Sequence, residues 1–268
     1  VIALNARDGE ELWRINVAGE VLAAPVITRG MAIIRTVNGR IKALNLSTGV
    51  ERWESEFELP RLTLRGNSPP VVSGDLIISG MDNGRVVALD SNDGSRVWES
   101  ILTLPSGRTD LELLADVDAA IRVIGERLFV VGYQGRIGML SRDSGQVLWS
   151  HDLSSYAGMG ADWTRLYITD SDSEVVALDQ NTGSTLWRQN AMRARWLTAP
   201  TSIGRNIVVG DFEGYLHWLN GDTGDLVART RVGKEALINP AKVAGETLLV
   251  LSSDSKLAAY QVIPPKVE

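Results

Sequence analysis

The stretch Leu178-Asp179-Gln180-Asn181-Thr182-Gly183, with Trp187 four residues after its glycine, decides the fold. The same spacing of leucine, glycine and tryptophan begins at four other leucines, namely Leu4, Leu44, Leu89 and Leu140. A sixth copy has Ala228 where tryptophan is expected, and a seventh ends at Tyr260 in the leucine position. The copies recur every 38 to 51 residues, which indicates a fold built from repeated units.

Each unit reads as four short strands, labelled A to D in chain order. In the third unit they are predicted at residues 69–72, 74–79, 85–89 and 95–98. Asp82-Asn83-Gly84, between strands B and C, is typical of a tight hairpin whose positive φ angles suit Asn and Gly. Short strands separated by turn signals, with no helical period, predict an all-β fold. Four-stranded units at a period of about 40 residues predict a β-propeller.

The chain begins within a strand C and ends after a strand C, with five complete sets between them. We therefore expect a first blade without A and B, a last blade without D, and a ring whose N-terminal part is missing from this chain. Residues 1–262 are predicted to form a single propeller domain, and residues 263–268 a C-terminal tail. The five repeat tryptophans are predicted to cover the seams between blades, and Trp163, Trp196 and Trp218 are also assigned to packing.

The composition excludes several kinds of site. The 268 residues carry a net charge of −6, no cysteine and two histidines, which argues against a nucleic-acid surface and excludes disulfides, thiol nucleophiles and Cys/His zinc sites. His151 and His217 are predicted to be surface or seam residues. Asp170 and Asp172 are expected to bond to local backbone in a turn. No catalytic motif is found, so no catalytic residue, cofactor or metal is predicted.

Two consecutive connectors between strand D and the next strand A are longer than the others, and both are expected on one rim of the ring. The first, residues 59–67, contains Leu62, Leu64 and Arg65, and the second, residues 111–118, contains Asp116 and Asp118. An extended apolar strip beside carboxylates can dock a partner chain. Alternatively, the leucines fold back over the rim while Arg65 pairs with either aspartate. A calcium ion at the aspartates is a third reading, without supporting EF-hand spacing.

The repeat resembles that of quinoprotein dehydrogenases. Three stretches, Leu62–Gly66, Ala115–Asp118 and Val208–Trp218, resemble more closely the BamB family of the outer-membrane β-barrel assembly machinery. This resemblance implies an eight-bladed propeller without enzymatic activity, held on the periplasmic face of the outer membrane by an N-terminal lipid anchor that this chain lacks. It also implies binding to a periplasmic POTRA domain of BamA through Leu62, Leu64, Arg65, Asp116 and Asp118.

The resemblance implies two further kinds of partner: other subunits of the assembly complex and unfolded outer-membrane proteins. The unfolded proteins would bind as added strands at the edges of the blades. The residues themselves leave two other functions possible for this chain. A dehydrogenase that uses pyrroloquinoline quinone shares the repeat, but that family has a vicinal cysteine pair, which this chain lacks. The second possible function is that of a generic periplasmic propeller that acts as a scaffold or sensor.

Overall fold

A computed structural model describes residues 1–59, 68–82, 84–102, 121–132 and 135–261. Every regular element in these ranges is a β-strand, so none of them is a helix that could cross a membrane. The strands form seven antiparallel sheets, five of them with four strands. The all-β class and the propeller blades are therefore confirmed, while the eight-bladed ring of an intact protein stays a prediction.

The chain divides into two compact units, residues 1–154 and residues 155–268. The first unit begins with a two-stranded sheet, β1 (Ile2–Leu4) and β2 (Glu11–Arg14). Its second sheet contains β3 (Val26–Thr28), β4 (Met31–Arg35), β5 (Arg40–Asn45) and β6 (Glu51–Glu56). The third contains β7 (Val71–Ser73), β8 (Leu76–Gly80), β9 (Arg85–Asp90) and β10 (Arg96–Ile101). The fourth contains β11 (Arg122–Ile124), β12 (Arg127–Val131), β13 (Arg136–Ser141) and β14 (Val147–Asp152).

The second unit repeats the same plan. Its first sheet contains β15 (Met159–Ala161), β16 (Arg165–Thr169), β17 (Val175–Asp179) and β18 (Thr185–Gln189). The next contains β19 (Thr201–Ile203), β20 (Asn206–Gly210), β21 (Tyr215–Asn220) and β22 (Leu226–Arg231). The last has three described strands, β23 (Lys242–Ala244), β24 (Thr247–Leu251) and β25 (Leu257–Gln261). The incomplete first and last sheets agree with the strand count that the repeat predicts, and the single domain over residues 1–262 stays a prediction.

The repeat motif itself forms the hairpin between strands C and D. In β5 the side chain of Asn45 accepts the backbone N–H of Ser47 at 2.9 Å, and the Gly49 N–H donates to the Asn45 carbonyl at 2.8 Å. Gly49 has a φ of +72°, a conformation that costs glycine little. The strand register shifts beside this turn, as in a hairpin closed by a bulge. Asp90, Asp179 and Asn220 make the same side-chain bond in their blades.

Four of the five strand-D tryptophans, Trp13, Trp53, Trp98 and Trp187, cover the seam to the next sheet as predicted, and the same role for Trp149 stays a prediction. The indole N–H of Trp53 donates to the Ser91 carbonyl at 3.1 Å, and that of Trp98 donates to the Arg142 carbonyl at 2.8 Å. A methyl group added at Gly145, in the turn of the next sheet, would lie 2.5 Å from the Trp98 ring. The repeat therefore needs both residues, because the glycine leaves space for the ring of the preceding sheet.

Three assignments made from the sequence are wrong. Trp163 is 95% exposed and Trp196 is 73% exposed, so neither packs in a core, whereas Trp218 is buried as predicted. His217 is buried within its own blade rather than at the surface or a seam. His151 is exposed on β14 and stacks on Trp149, with 5.5 Å between ring centroids.

Candidate partner-binding site

The five residues predicted to bind a partner, Leu62, Leu64, Arg65, Asp116 and Asp118, lie outside the described residues. The same holds for the alternatives in which the leucines fold back, Arg65 pairs with an aspartate, or calcium binds the aspartates. The residues on either side of each enlarged connector are described. They determine where the connectors leave their blades.

Both enlarged connectors begin at the end of the blade that carries the turn between strands B and C. The Phe57 N–H, just after β6, donates to the carbonyl of Gly39 in this turn at 2.9 Å. The Leu102 N–H, just after β10, donates in the same way to Gly84 at 3.0 Å. Both glycines have positive φ angles, of 79° and 73°. The two connectors therefore leave equivalent ends of two sheets that pack side by side.

Glycine is needed at the first of these turns because the connector passes directly over it. A methyl group added at Gly39 would lie 2.5 Å from the Phe57 carbonyl oxygen and 2.9 Å from the Leu59 side chain. The chain returns through Ser68 and Pro70, which are both buried. The first connector is therefore fixed to the blades at both of its ends.

The second connector is fixed by apolar packing. Leu102 and Ile121, the residues on either side of it, are 5% and 4% exposed and lie in one core cluster with Leu128 and Val130. A methyl group added at Gly138 of β13 would lie 2.5 Å from Leu102. The connector therefore leaves the sheet β7–β10, where the first connector ends, and both of its ends pack against the sheet β11–β14.

A buried ion pair joins the two adjacent blades at this same end. The Arg35 guanidinium, at the end of β4, bonds to Asp82, in the turn after β8, and these side chains are only 5% and 3% exposed. One guanidinium nitrogen of Arg35, Nη1, is buried without a hydrogen-bond partner. Separating such a pair leaves a buried charge, so the pair resists relative movement of the blades.

A cleft of about 250 Å³ lies beside the start of the first connector, lined by Phe57, Met81 and several charged residues. Arg85 and Arg96 both pair with Glu99 across this cleft. The hydrogen bond from Arg85 lowers the pKa of Glu99 against the opposing effect of burial, with Arg96 adding to it. The cleft lining thus combines two apolar side chains, Phe57 and Met81, with arginines that pair with Glu99.

A second buried network was missed by sequence reasoning. Asp211, in the turn after β20, accepts bonds from Arg195 Nε at 2.6 Å and His217 Nε2 at 2.7 Å, and from the backbone of Glu213 and Tyr215. Burial alone would raise the pKa of Asp211, but these bonds outweigh burial and lower it. The network fixes the turn, and it has no group positioned as a nucleophile.

A sequence signal for these networks exists. An aspartate follows strand B in three blades, as Asp82, Asp170 and Asp211. Asp170 accepts the N–H groups of Asp172 and Glu174, which confirms the predicted local bonding. Within the described ranges, no group of three or more acidic or histidine side chains is arranged to hold a metal ion.

Comparison with known proteins gives one consistent family. A family model described as "Outer membrane protein assembly factor BamB" matches residues 1–189 and 171–262. A curated relative of that name from Yersinia pestis is 37% identical over 260 residues, which cover 97% of this chain and 66% of the relative. The chain thus spans slightly less than two thirds of that relative's length.

Solved structures agree with this result. The crystal structure of BamB from Moraxella catarrhalis matches with a TM-score of 0.91 and 29% identity over 97% of this chain and 78% of that one. A europium-containing methanol dehydrogenase matches 96% of this chain and 78% of that one, with a TM-score of 0.62 and 13% identity. This second match shows a shared fold and carries no argument for dehydrogenase chemistry.

Proposed function

Since this chain belongs to the outer membrane protein assembly factor BamB family, we propose that it is a non-enzymatic scaffold subunit of an outer-membrane protein assembly complex. It works on the periplasmic face of the outer membrane, where a lipid anchor on the intact protein holds it. Its central partner is the periplasmic POTRA region of BamA, and the other subunits of the complex assemble with it there.

One observation carries the choice of binding surface. The two enlarged connectors start at equivalent ends of adjacent sheets, through the bonds from Phe57 to Gly39 and from Leu102 to Gly84. Their bases are held by the buried Arg35–Asp82 pair and by Leu102 packed in the core. Side chains on loops that are fixed at both ends lose less entropy on binding than side chains on free loops.

The proposed contacts follow from the chemistry of the connector residues. Leu62 and Leu64 supply apolar surface that is buried on binding, while Arg65, Asp116 and Asp118 pair with polar groups of the POTRA domain and set its orientation. Truncating one central side chain of this kind costs about 1–4 kcal/mol of binding free energy. Removing two should weaken binding by tenfold or more, on the order of 1.4 kcal/mol or above.

A titration of the chain with the purified POTRA domains of BamA tests this assignment. The double variant Leu64→Ala and Arg65→Ala, and separately Asp116→Ala and Asp118→Ala, should each bind at least about tenfold more weakly than the parent chain. Lys234→Ala with Glu235→Ala is the matched control, because these residues lie in a shorter connector that starts with the same bond, from Val232 to Gly214. Unchanged affinity in the first two variants would remove these residues from the interface.

Unfolded outer-membrane proteins are a second class of proposed partner. Strand D is the outermost strand of each four-stranded sheet, and its exposed edge carries apolar side chains such as Val97, Leu148, Leu186 and Val227. Such an edge can pair with an incoming strand through backbone hydrogen bonds. Site-specific crosslinking from these positions should capture client chains, and capture of BamA alone would contradict client binding.

A further inference from the structure

Trp196 is held at the surface by a strained backbone. Its side chain is 73% exposed, although sequence reasoning assigned it to packing. Its φ is +51°, and that of Ala194 is +58°, so two non-glycine residues in one connector adopt the left-handed conformation. Each such residue is unfavourable and persists only where its surroundings enforce it, and such residues concentrate at binding sites.

Ion pairs on both sides of Ala194 enforce this conformation. The Arg193 Nε donates to Glu174 at 2.6 Å, and Glu174 lies in a turn of the preceding blade of this unit. The Arg195 Nε donates to the buried Asp211 at 2.6 Å, in the following blade, and the same guanidinium also bonds to Glu213. The segment therefore bridges two blades, and each arginine is neutralised by carboxylates.

Backbone contacts complete the support. The Ala194 N–H donates to the Asp172 carbonyl at 3.1 Å, and the Leu197 N–H donates to the Ser173 hydroxyl at 3.4 Å. Met192 and Leu197 are buried on either side, at 2% and 1% exposure. The indole is therefore the one large apolar side chain of this segment that is exposed, and it stands on a fixed base.

The exposed indole forms one wall of a cleft. The cleft has a volume of about 490 Å³ and is also lined by Tyr156, Ser171, Asp172 and Arg193. Tyr156 is 46% exposed, so both aromatic side chains present surface to a ligand. The Asp172 carboxylate is exposed and has no ion-pair partner among the described residues. Arg193, in contrast, is already paired with Glu174.

We propose that this cleft binds an arginine side chain of a partner protein segment, between the Trp196 and Tyr156 rings and against the Asp172 carboxylate. A guanidinium is attracted to the faces of tryptophan and tyrosine and stacks on them, and its planar fork matches a carboxylate. An apolar ligand would leave Asp172 unused. An anionic ligand would be repelled by it. This site lies within residues 155–268 and does not depend on the function proposed above.

The test is a titration of the ¹⁵N-labelled chain, followed by NMR, with the blocked peptide acetyl-Gly-Arg-Gly-amide. The indole N–H of Trp196 and the backbone amides of Asp172 and Ala194 should shift and saturate. The matched peptide with citrulline in place of arginine is neutral and nearly isosteric, and it should bind about fivefold more weakly. Asp172→Asn should lower the affinity for the arginine peptide by a similar factor.

Trp196→Gly separates binding from folding. Glycine adopts a φ of +51° readily, so this variant should keep or raise the thermal midpoint while losing saturable binding. Trp163→Gly is the control, because Trp163 is 95% exposed in the hairpin between β15 and β16, at the other end of its blade, and binding should be unchanged.

Three outcomes of the experiments above would overturn the proposal, and a fourth comes from a separate titration with phosphocholine. They are equal binding of the arginine and citrulline peptides, an equal loss in Trp163→Gly, or the absence of any shift at Trp196. Tighter binding of phosphocholine than of the arginine peptide would also overturn it, because the cleft would then recognise a lipid headgroup.

Discussion

Replacing Trp98 by alanine should destabilise the first unit of the chain strongly. Trp98 is 8% exposed, its ring covers Gly145 in the adjacent sheet, and its indole N–H donates to the Arg142 carbonyl at 2.8 Å. A buried tryptophan removes about 150–250 Å² from water, which at about 25 cal/mol per Å² corresponds to roughly 4–6 kcal/mol as an upper estimate. Measured truncations of large aromatic residues cost about 3–5 kcal/mol.

We therefore expect a loss of about 4 kcal/mol in the free energy of unfolding, including the hydrogen bond that the Arg142 carbonyl loses. Urea unfolding followed by far-ultraviolet circular dichroism measures this, because that signal does not depend on the tryptophan removed. Trp163→Ala is the control, and since Trp163 is exposed it should change stability by no more than about 0.5 kcal/mol. A loss below about 1 kcal/mol for Trp98→Ala would refute the seam packing as the main support between these sheets.

Three further predictions concern a turn and two buried carboxylates. Gly145→Ala should lower the free energy of unfolding in urea by at least about 1 kcal/mol more than Gly74→Ala does. Both glycines have positive φ, but only a methyl group at Gly145 would clash with the seam tryptophan, Trp98. Equal losses in the two variants would contradict this. Asp82→Ala should lower the free energy of unfolding by about 3–5 kcal/mol, because it leaves Arg35 buried and unpaired. The double variant Arg35→Met with Asp82→Leu should recover most of that loss. A double variant as unstable as Asp82→Ala would refute this. Because the pKa of Asp211 is lowered on folding, its ionised form stabilises the chain above the unfolded pKa, and this contribution is lost as the pH falls through the folded pKa. The stability gap between the parent chain and Asp211→Asn, measured by urea unfolding, should therefore shrink below about pH 4, and a gap that is constant with pH would count against it.

Local chemistry explains how much of the fold could be predicted. The third strand of the third blade was expected at residues 85–89 and is observed at Arg85–Asp90. Its short run of apolar residues and the turn residues on each side act within a few positions of the chain. The hairpin bond of Asn45 likewise joins neighbours in sequence. Such features can be read from one repeat and checked against the others.

The solvent exposure of individual side chains could not be predicted from the repeat. Trp98 and Trp196 are the same residue type, but Trp98 meets a glycine turn of the next sheet, while Trp196 lies in a connector held by carboxylates of two other turns. His217 was expected at the surface or a seam because it lies near a turn, yet it points to the buried Asp211. The enlarged connectors were located by their length, and the binding roles of Leu62, Leu64, Arg65, Asp116 and Asp118 stay predictions.

The sequence by itself determined the blade: its four strands, its hairpins, and the tryptophan and glycine that recur in every complete copy but one. Tertiary structure alone decided which charges meet. Arg35 and Asp82 are 47 residues apart and lie on different blades, whereas Arg195 lies in a connector, 16 residues from Asp211 in the following blade. The physical reason is that backbone geometry is set by adjacent residues, whereas burial and ion pairing depend on which surfaces the packed sheets bring together.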